Sequence, residues 1–177
     1  MYIYAYIYRR LRLRLHLPTS VRPEVTRVYI GIGSNLGDRE EAIAGALERL
    51  ADDPALDLVA VSTLRETDPV GPVLEQPKFL NGVAAIETTL SPRRLLDLLL
   101  SVEHEHGRTR EGPAGGPRTL DLDLLLYGDL ELDEPDIRIP HPRLHERRFV
   151  LEPLAELDPA LVVPERGGVQ GLLARLN

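Results

Sequence analysis

From Arg27 onward, apolar and polar residues recur along the chain with regular spacing. Residues 28–33 form an apolar run that ends in the turn-forming stretch 33–37, a pattern that predicts a first strand. Asp38, followed three residues later by Glu41, has the form of a helix capping box. The apolar residues that come next repeat at helical spacing: Ile43, Ala46, Leu47 and Leu50. We therefore expect a strand followed by an amphipathic helix.

Three further apolar runs have the length and flanking residues of strands. They cover residues 56–64, 79–88 and 120–127. The first two are separated by residues 67–77, a stretch rich in proline and glycine that predicts a long loop.

A second helix is expected between the last two of these strands. Ser91 is a suitable helix cap, Pro92 suits the first helical position, and Gly107 is well placed to end the helix. Its buried face is predicted to consist of Leu95, Leu98, Leu99 and Val102. Helical segments are also expected around residues 147–157 and 169–176.

The predicted order over residues 28–127 is strand, helix, strand, strand, helix, strand. This order fits a ferredoxin-like βαββαβ core, in which an antiparallel sheet carries helices on one face. The expected fold class is therefore α+β.

The length of the chain limits the number of domains. With 177 residues it can form one domain with a substantial core, which we assign to residues 25–177. Residues 1–24 alternate Tyr, Ile and Leu with Arg, a pattern compatible with an edge strand, an amphipathic arm or an unstructured extension. They lack the features of a secretory signal and resemble an organelle transit peptide only weakly. We interpret them as an extension without a role in the fold.

Composition excludes several classes of site and partner. The chain has no cysteine, so disulfides, thiolate metal sites and thiol nucleophiles are excluded, and a hard cation such as magnesium is the default metal. No apolar run is long enough to cross a bilayer, so we expect a cytoplasmic protein without a membrane partner. The net charge is −7, and without the five arginines before Glu24 the count is 16 basic against 28 acidic residues. Such an acidic body argues against binding nucleic acid.

Asp121 and Asp123 are the first candidates for chemistry. Successive side chains of a strand alternate between its faces, so both aspartates should lie on one face, with Leu122 and Leu124 on the other. Their Cα atoms should be roughly 6.5 to 7 Å apart, which lets both carboxylates reach one cation or a close pair of cations. An Asp-x-Asp pair on its own is more often a solvent-facing acidic pair.

Arginines near the aspartates favour the functional interpretation. Arg108, Arg110 and Arg118 flank the pair, and the loop over residues 107–117 is rich in glycine and proline. Arginines directed at phosphates can neutralise the charge of a transition state, and a loop that closes can exclude water. A solvated loop whose arginines form weak ion pairs is the commoner meaning of such a stretch.

Two other segments have some features of phosphate sites. Residues 140–149 hold two histidines and three arginines, and His141 could donate a hydrogen bond to a phosphate oxygen. Residues 31–37 are rich in glycine, but they have neither the ending of a P-loop nor the spacing of a dinucleotide-binding loop, so both are rejected.

Taken together, these motifs resemble the 6-hydroxymethyl-7,8-dihydropterin pyrophosphokinase family over about residues 27–161. The motifs are Ile-Gly-Ser-Asn-Leu-Gly at 32–37, Phe-Leu-Asn at 79–81, Gly-Arg-Thr-Arg at 107–110, Gly-Pro-Arg-Thr-Leu-Asp-Leu-Asp at 116–123 and the His/Arg-rich stretch at 140–149. The resemblance implies transfer of pyrophosphate from ATP to the pterin alcohol in folate synthesis, giving AMP and the pterin diphosphate. It also implies two Mg²⁺ ions, and we expect a monomer.

The resemblance assigns a role to individual residues. The implied catalytic residues are Arg108, Arg118, Asp121 and Asp123, and the two aspartates are also the implied metal ligands. The implied ATP contacts are Glu103, Arg110, Leu124, His141 and Arg147. The implied pterin site is formed by Gly33, Asn35, Thr67, Val70, Phe79, Asn81 and Phe149. A flat polar heterocycle needs aromatic stacking partners and an amide such as Asn81 that both donates and accepts.

The chain departs from the family pattern at four positions. Gly115 replaces a tryptophan common in the mobile loop, and the chain has no tryptophan at all. Leu100 and Pro142 replace residues that contact ATP in some members, and Asp68 lies where the pterin loop often has proline.

Two other functions fit parts of the same pattern. A ferredoxin-like RNA-binding module should show exposed aromatic residues and a basic face, whereas this chain has two Phe, no Trp and an acidic body. A different metal-dependent phosphotransferase or nuclease could use the same aspartates, and only the activity on the pterin separates it from the implied enzyme.

Overall fold

The computed structural model describes residues 24–109 and 115–176. The predicted N-terminal extension, apart from Glu24, lies outside the described residues, as does Arg110. Within the described part of the chain, no helix has both the length and the apolar character needed to cross a membrane.

The chain forms nine strands and four α-helices in the described residues. The strands are β1 (Thr26–Ser34), β2 (Leu56–Val61), β3 (Arg65–Thr67), β4 (Phe79–Thr88), β5 (Asp121–Tyr127), β6 (Leu132–Glu134), β7 (Ile137–Ile139), β8 (Val162–Val163) and β9 (Gly167–Gly168). The helices are α1 (Arg39–Ala51), α2 (Pro92–Glu105), α3 (Arg148–Leu157) and α4 (Val169–Ala174). A short 3-10 helix, Leu144–Glu146, precedes α3.

The main sheet has five strands, and all of its pairings are antiparallel. Its order is β2-β4-β1-β5, and β3 also pairs with β4. β6 pairs with β7 and β8 with β9 in two small separate sheets. The prediction of an α+β fold with an antiparallel sheet is therefore confirmed.

The predicted helix boundaries rest on local capping interactions. The side chain of Asp38 accepts from the Glu41 N–H at 3.0 Å, and that of Ser91 accepts from the Arg94 N–H at 3.4 Å. Gly107 follows α2 with a φ of 76°, a conformation that favours glycine after a helix. These interactions involve residues close in sequence, so the pattern of residues was sufficient to predict them.

The sheet separates two hydrophobic clusters. On one face, α1 and α2 pack against alternate residues of the strands such as Val28, Ile30 and Leu122. On the other face, α3 and α4 pack against Tyr29, Val83 and other strand residues. The two helices expected between the strands, α1 and α2, thus lie on one face, while the C-terminal helices, which follow β5, bury the second face.

The second predicted strand, residues 56–64, ends early, and a short strand that was not predicted follows it. β2 ends at Val61, which is opposite Ala84, and β3 begins at Arg65, which is opposite Asn81. Three residues, 62–64, thus face only two on β4, and the regular pairing is interrupted. Ser62 fills the gap, because its N–H donates to the Val83 carbonyl and its hydroxyl accepts from the Val83 N–H. Thr67, expected in the loop, is the last residue of β3.

Candidate active site

The candidate site lies where three strands of the main sheet meet on its second face. Gly33 on β1 is opposite Asn81 on β4 and Asp121 on β5, and two residues away Gly31 is opposite Asp123. The adjacent Leu122 and Leu124 belong to the core on the other face. The predicted alternation is therefore confirmed, and both aspartates share a surface with Asn81.

The two glycines of β1 make room between these polar side chains. A Cβ atom at Gly33 would lie 2.4 Å from Asn81 Oδ1, a distance that real Cβ atoms do not reach. At Gly31 a Cβ atom would lie 3.6 Å from the Asp123 Cβ. β1 therefore forms a floor without side chains between Asn81 and the aspartates.

Three arginines surround the two carboxylates. Asp121 is paired with Arg108 at 2.5 Å and with Arg118 at 2.9 Å, and its side chain is 17% exposed. Arg147 lies 3.4 Å from Asp123, whose side chain is 37% exposed. A cation bound to the carboxylates would leave these guanidinium groups available to an anionic ligand.

Arg108 also forms an ion pair with Glu103, which is buried in α2. Glu103 is 2% exposed, and its Oε1 accepts from Arg108 and from the Leu122 N–H, the latter at 2.8 Å. The resemblance implied that Glu103 contacts ATP, whereas these bonds connect it to Arg108 and β5. The helical spacing of Leu95, Leu99 and residue 103 could have signalled that this carboxylate faces inward.

The environment raises the pKa of Asp123 above its ordinary value. Enclosure by the protein is the largest cause, and the negative charge of Asp121 adds to it, while His141, Arg147 and Arg118 oppose the shift. Ionising Asp123 beside a second carboxylate is costly. A bound cation would therefore stabilise its ionised form.

His141 approaches the same carboxylate. Burial lowers its pKa below the ordinary value; Asp123 opposes this shift, and Arg147 adds to it. The ring is therefore neutral at pH 7. Its Nδ1 accepts from the Arg143 N–H at 3.1 Å, which leaves the proton on Nε2. His141 thus offers a neutral N–H donor beside Asp123.

The other half of the site is aromatic. Phe79 and Phe149 line the same cavity as the aspartates, together with Asn81 and Val70. The cavity is open to solvent, and the space within it together with the adjoining solvent is about 550 Å³. Asn81 Nδ2 donates to Thr67 Oγ1 at 2.7 Å, and its Oδ1 lies over the Gly33 floor. Val70 is 58% exposed on the loop above.

Each aromatic ring of the cavity has an arginine over it. The guanidinium carbon of Arg118 lies 4.9 Å from the centre of the Phe79 ring, and that of Arg147 lies 5.7 Å from the centre of the Phe149 ring. The residues that pair with the two aspartates therefore also contact the aromatic half, and the two halves form one continuous site.

Asn35 connects the loops around the site and is not a wall of the cavity. It is 2% exposed, its Oδ1 accepts from the Arg118 N–H at 2.8 Å, and its Nδ2 donates to Gln76 at 2.9 Å and to the Pro77 carbonyl at 3.0 Å. Gln76 in turn donates to the Gly115 carbonyl at 2.9 Å. The resemblance implied that Asn35 lines the ligand site; in the structure its polar groups bind the loops before β4 and β5.

Gly115 lies where two loops contact each other. Gly115 has a φ of 81°, and a Cβ there would lie 3.3 Å from Pro72, so a larger side chain would push the two loops apart.

Leu124 is 6% exposed and packs in the core shared with α1 and α2. A contact between Leu124 and a nucleotide would therefore have to use its main chain.

The donor set fits magnesium when a phosphate supplies the remaining ligands. Among residues 24–109 and 115–176, no group of three or more His, Cys, Asp or Glu side chains could hold a metal ion. Asp121 and Asp123 provide oxygen ligands only, and Mg²⁺ is commonly bound by one or two carboxylates together with substrate phosphates and water. The raised pKa of Asp123 is consistent with such a cation.

Comparison with known proteins identifies relatives over most of the chain. The model of the family described as 7,8-dihydro-6-hydroxymethylpterin-pyrophosphokinase matches residues 29–159. The 2-amino-4-hydroxy-6-hydroxymethyldihydropteridine pyrophosphokinase of Pseudomonas aeruginosa is 48% identical over 150 residues, which cover 85% of this chain and 91% of that protein. The protein of the same name from Bacillus subtilis is 46% identical over 129 residues, covering 73% of this chain and 76% of the relative.

A solved structure has the same fold. The crystal structure of Plasmodium falciparum HPPK-DHPS superposes with a TM-score of 0.67 at 13% sequence identity. The match covers 88% of this chain and 46% of that one, so the chain spans less than half of that protein.

Proposed function

The chain belongs to the 7,8-dihydro-6-hydroxymethylpterin-pyrophosphokinase family, and we propose that the cavity between β1, β4 and β5 is its active site. The protein is a diphosphotransferase of folate biosynthesis. It transfers the pyrophosphoryl group of ATP to 6-hydroxymethyl-7,8-dihydropterin, and the products are AMP and the pterin diphosphate.

One observation carries the assignment of the site. Two carboxylates and two of the arginines that pair with them, Arg118 and Arg147, line the same cavity as two aromatic rings and an amide. The charged half suits a polyphosphate, and the aromatic half suits a flat heterocycle. An enzyme that joins these two ligands needs both halves within one cavity.

Asp121 and Asp123 are proposed to hold two Mg²⁺ ions between them and the phosphates of ATP. Bound there, magnesium would neutralise phosphate charge and orient the reacting oxygens. Arg108 and Arg118 already lie within hydrogen-bond distance of Asp121, so the phosphates would arrive beside preformed positive charge. Arg147 and the Nε2–H of His141 are proposed to hold phosphate oxygens next to Asp123. Arg110, Glu103 and the main chain of Leu124 remain proposed ATP contacts.

The pterin is proposed to stack between Phe79 and Phe149, with its polar edge on Asn81 and Thr67 and its upper face under Val70. Gly33 provides the floor, and Asn35 holds the surrounding loops in place. In the reaction the pterin hydroxyl oxygen forms a bond to the β-phosphorus and loses its proton to solvent, the bond between that phosphorus and the oxygen that bridges it to the α-phosphorus breaks, and AMP leaves with that oxygen. The protein contributes position and charge, which is the usual basis of phosphoryl transfer.

The scaffold is proposed to be ferredoxin-like, because the order β2-β4-β1-β5 with α1 and α2 on one face fits a βαββαβ unit. Residues 25–177 are proposed to act as one domain, as a monomer in the cytoplasm, with residues 1–24 outside the catalytic unit.

A direct assay tests this function. The purified protein is mixed with ATP, MgCl₂ and the pterin alcohol, and AMP and pterin diphosphate are separated by chromatography. Equal amounts of both products are expected, and neither should form when the pterin or Mg²⁺ is left out. Asp121→Ala and Asp123→Ala should each abolish turnover while the protein remains folded. ATP cleavage that does not depend on the pterin would instead favour a different metal-dependent phosphotransferase or nuclease.

A further inference from the structure

Arg39, the first residue of α1, carries a charge that its own helix does not favour. The partial positive charge at a helix N-terminus favours acidic residues there and disfavours cations. Glu40 and Glu41 in the same turn follow this preference, whereas Arg39 does not. A residue that breaks a local rule in this way is expected to make a compensating contact elsewhere in the molecule.

The guanidinium group of Arg39 joins the two strands beside the aromatic half of the cavity. Its Nη1 donates to Glu66 Oε1 on β3 at 2.8 Å and to the Lys78 carbonyl, directly before β4, at 3.0 Å. Glu66 immediately precedes Thr67, and Lys78 immediately precedes Phe79. One nitrogen atom therefore binds the neighbours of Thr67 and Phe79, which are themselves paired across the two strands.

These contacts lie on the face of the sheet opposite the cavity. Neighbouring residues of a strand point to opposite faces, so Glu66 points away from the face that carries Thr67. Leu80, which is paired with Glu66, is buried in the cluster formed with α1 and α2. Arg39 itself does not line the cavity. It can thus affect a ligand only through the strands that it holds.

β3 is a strand that needs such a contact. It has three residues, and within the described part of the chain it pairs only with β4. A short edge strand with few backbone bonds opens readily. Its first residue, Arg65, is bound to Glu156 of α3 at 2.6 Å, and Arg39 binds near its other end. Loss of Arg39 would therefore weaken the end of β3 that carries Thr67.

We propose that Arg39 is a positioning residue for the pterin half of the site, which fixes Thr67 against Phe79 and thereby sets the affinity for the heterocycle. This inference rests on the proposed function of the same cavity. Asn81 donates to Thr67 at 2.7 Å, so a shift of Thr67 also moves the amide. The two aspartates of the charged half lie on β5, which is separated from β3 by β4 and β1. The effect of Arg39 is therefore confined to the pterin.

The test compares the steady-state kinetics of four proteins, with each substrate varied separately. The proteins are the wild type, Arg39→Ala, Arg39→Lys and, as a matched control, Arg49→Ala. Arg49 is an exposed arginine of the same helix, and its ion pair with Glu105, at 3.3 Å, joins α1 to α2. The thermal midpoint of each protein is measured as well.

Arg39→Ala should raise the KM for 6-hydroxymethyl-7,8-dihydropterin about fivefold, while kcat and the KM for ATP stay within about twofold. Arg39→Lys keeps a charged donor that can reach one of the two acceptors, so it should recover part of the loss. Arg49→Ala should change neither KM. A role in stability alone would lower the thermal midpoint and the amount of active protein, and neither KM would change.

Glu66→Ala provides a second test, because it removes one acceptor of Arg39 and leaves the Lys78 carbonyl. It should raise the pterin KM about twofold. Combined with Arg39→Ala it should have no further effect, since both substitutions act through the same contact. Effects that simply add would overturn the proposal. If Arg39→Ala does not fold, an unchanged pterin KM in both Glu66→Ala and Arg39→Lys would overturn it.

Two results for a folded Arg39→Ala would also overturn the proposal. One is an unchanged pterin KM, and the other is an equal rise in the KM for ATP and the KM for the pterin. Failure of the proposed function is distinguished from these results, since it would appear in the wild type as an absence of pterin-dependent AMP.

Discussion

The Nη1 atom of Arg108 lies 2.5 Å from Asp121 Oδ1. Arg108 follows α2 on the loop before β5, whereas Asp121 is the first residue of β5, so this ion pair fixes the loop to the strand. The same nitrogen donates to Glu103. A cation on Asp121 would compete with Arg108 for the carboxylate, and this competition would leave the guanidinium available to a phosphate. Metal binding and the position of Arg108 are therefore expected to be linked.

The first prediction concerns Glu103. Replacing Glu103 with alanine would remove the acceptor of the Leu122 N–H and leave Arg108 with fewer partners in a site where its side chain is 17% exposed. We expect a loss of about 3 kcal/mol in the free energy of unfolding, because the buried Leu122 N–H loses its acceptor and the largely buried Arg108 keeps Asp121 as its carboxylate partner but loses Glu103. Urea denaturation measures this value.

Glu105→Ala is the matched control. Glu105 lies two residues further along the chain and pairs with Arg49 at 3.3 Å, with both side chains at least 40% exposed. Its loss should cost less than about 1 kcal/mol. Similar effects of the two substitutions would contradict the structural role of Glu103.

The parts of the fold that were predicted correctly depend on local patterns. The capping residues Asp38 and Ser91 and the alternation of Asp121 and Asp123 are properties of short segments, and each was read from neighbouring positions. Apolar periodicity likewise gave β4 and the buried residues of α1.

The features that were missed depend on contacts between distant segments. The break between β2 and β3 follows from three residues facing two on β4, and α3 and α4 cover the second face because their apolar residues meet those of the sheet. Asn35 joins loops that lie 41 and 83 positions further along the chain. No pattern within one segment contains this information.

The second prediction is that the two aspartates differ in their effect on stability. The pKa of Asp123 is raised mainly by enclosure and then by Asp121, so the fold favours its protonated form. Its contribution to stability is therefore greatest below the ordinary pKa of the carboxyl and declines as the pH rises through the raised value. Without Mg²⁺ at pH 7, Asp123→Asn should unfold at a higher temperature than the wild type.

Asp121→Asn should have the opposite effect. It removes a carboxylate that pairs with both Arg108 and Arg118, and we expect a loss of about 2 kcal/mol. Thermal midpoints measured in EDTA between about pH 4 and 7 test both statements, and the advantage of Asp123→Asn should grow with pH. A shift in the same direction for both variants would refute this description of the site.

The third prediction concerns the floor of the cavity. In Gly33→Ala the new Cβ atom would lie 2.4 Å from Asn81 Oδ1, so the amide must move and its 2.7 Å bond to Thr67 is disturbed. We expect the KM for the pterin to rise about tenfold or more, with a smaller change in the KM for ATP. Steady-state kinetics with each substrate varied separately will show the difference.

Gly171→Ala is its control, because a Cβ atom at this position of α4 meets nothing within 4 Å. Alanine is favoured over glycine inside a helix by about 0.5 to 1 kcal/mol, so the variant should be as stable as the wild type or slightly more stable. Equal kinetic effects of the two substitutions would mean that Gly33 has no special part in the cavity.

The last prediction concerns Glu156, which connects α3 to the segment between β2 and β3. Its Oε1 accepts from the N–H and hydroxyl of Thr63 at 2.7 and 2.8 Å, and its Oε2 accepts from Arg65 at 2.6 Å. Burial by itself raises the pKa of Glu156, but the bonds from Thr63 and Arg65 outweigh it, and the pKa is lowered. The ionised form is therefore the one that the fold favours.

For an acid with a lowered pKa, the stabilisation is present above the ordinary value of 4.5 and is lost as the pH falls through the lowered value. Glu156→Gln should therefore be less stable than the wild type at pH 7, by less than about 1 kcal/mol because the side chain is 34% exposed. The difference should shrink as the pH falls below the ordinary pKa of the carboxyl. Glu152→Gln, which changes an exposed carboxylate on the same helix, should have little effect at pH 7. A difference for Glu156→Gln that stays constant with pH would show that its charge is not responsible, because only an ionisable group gives stability this dependence on pH.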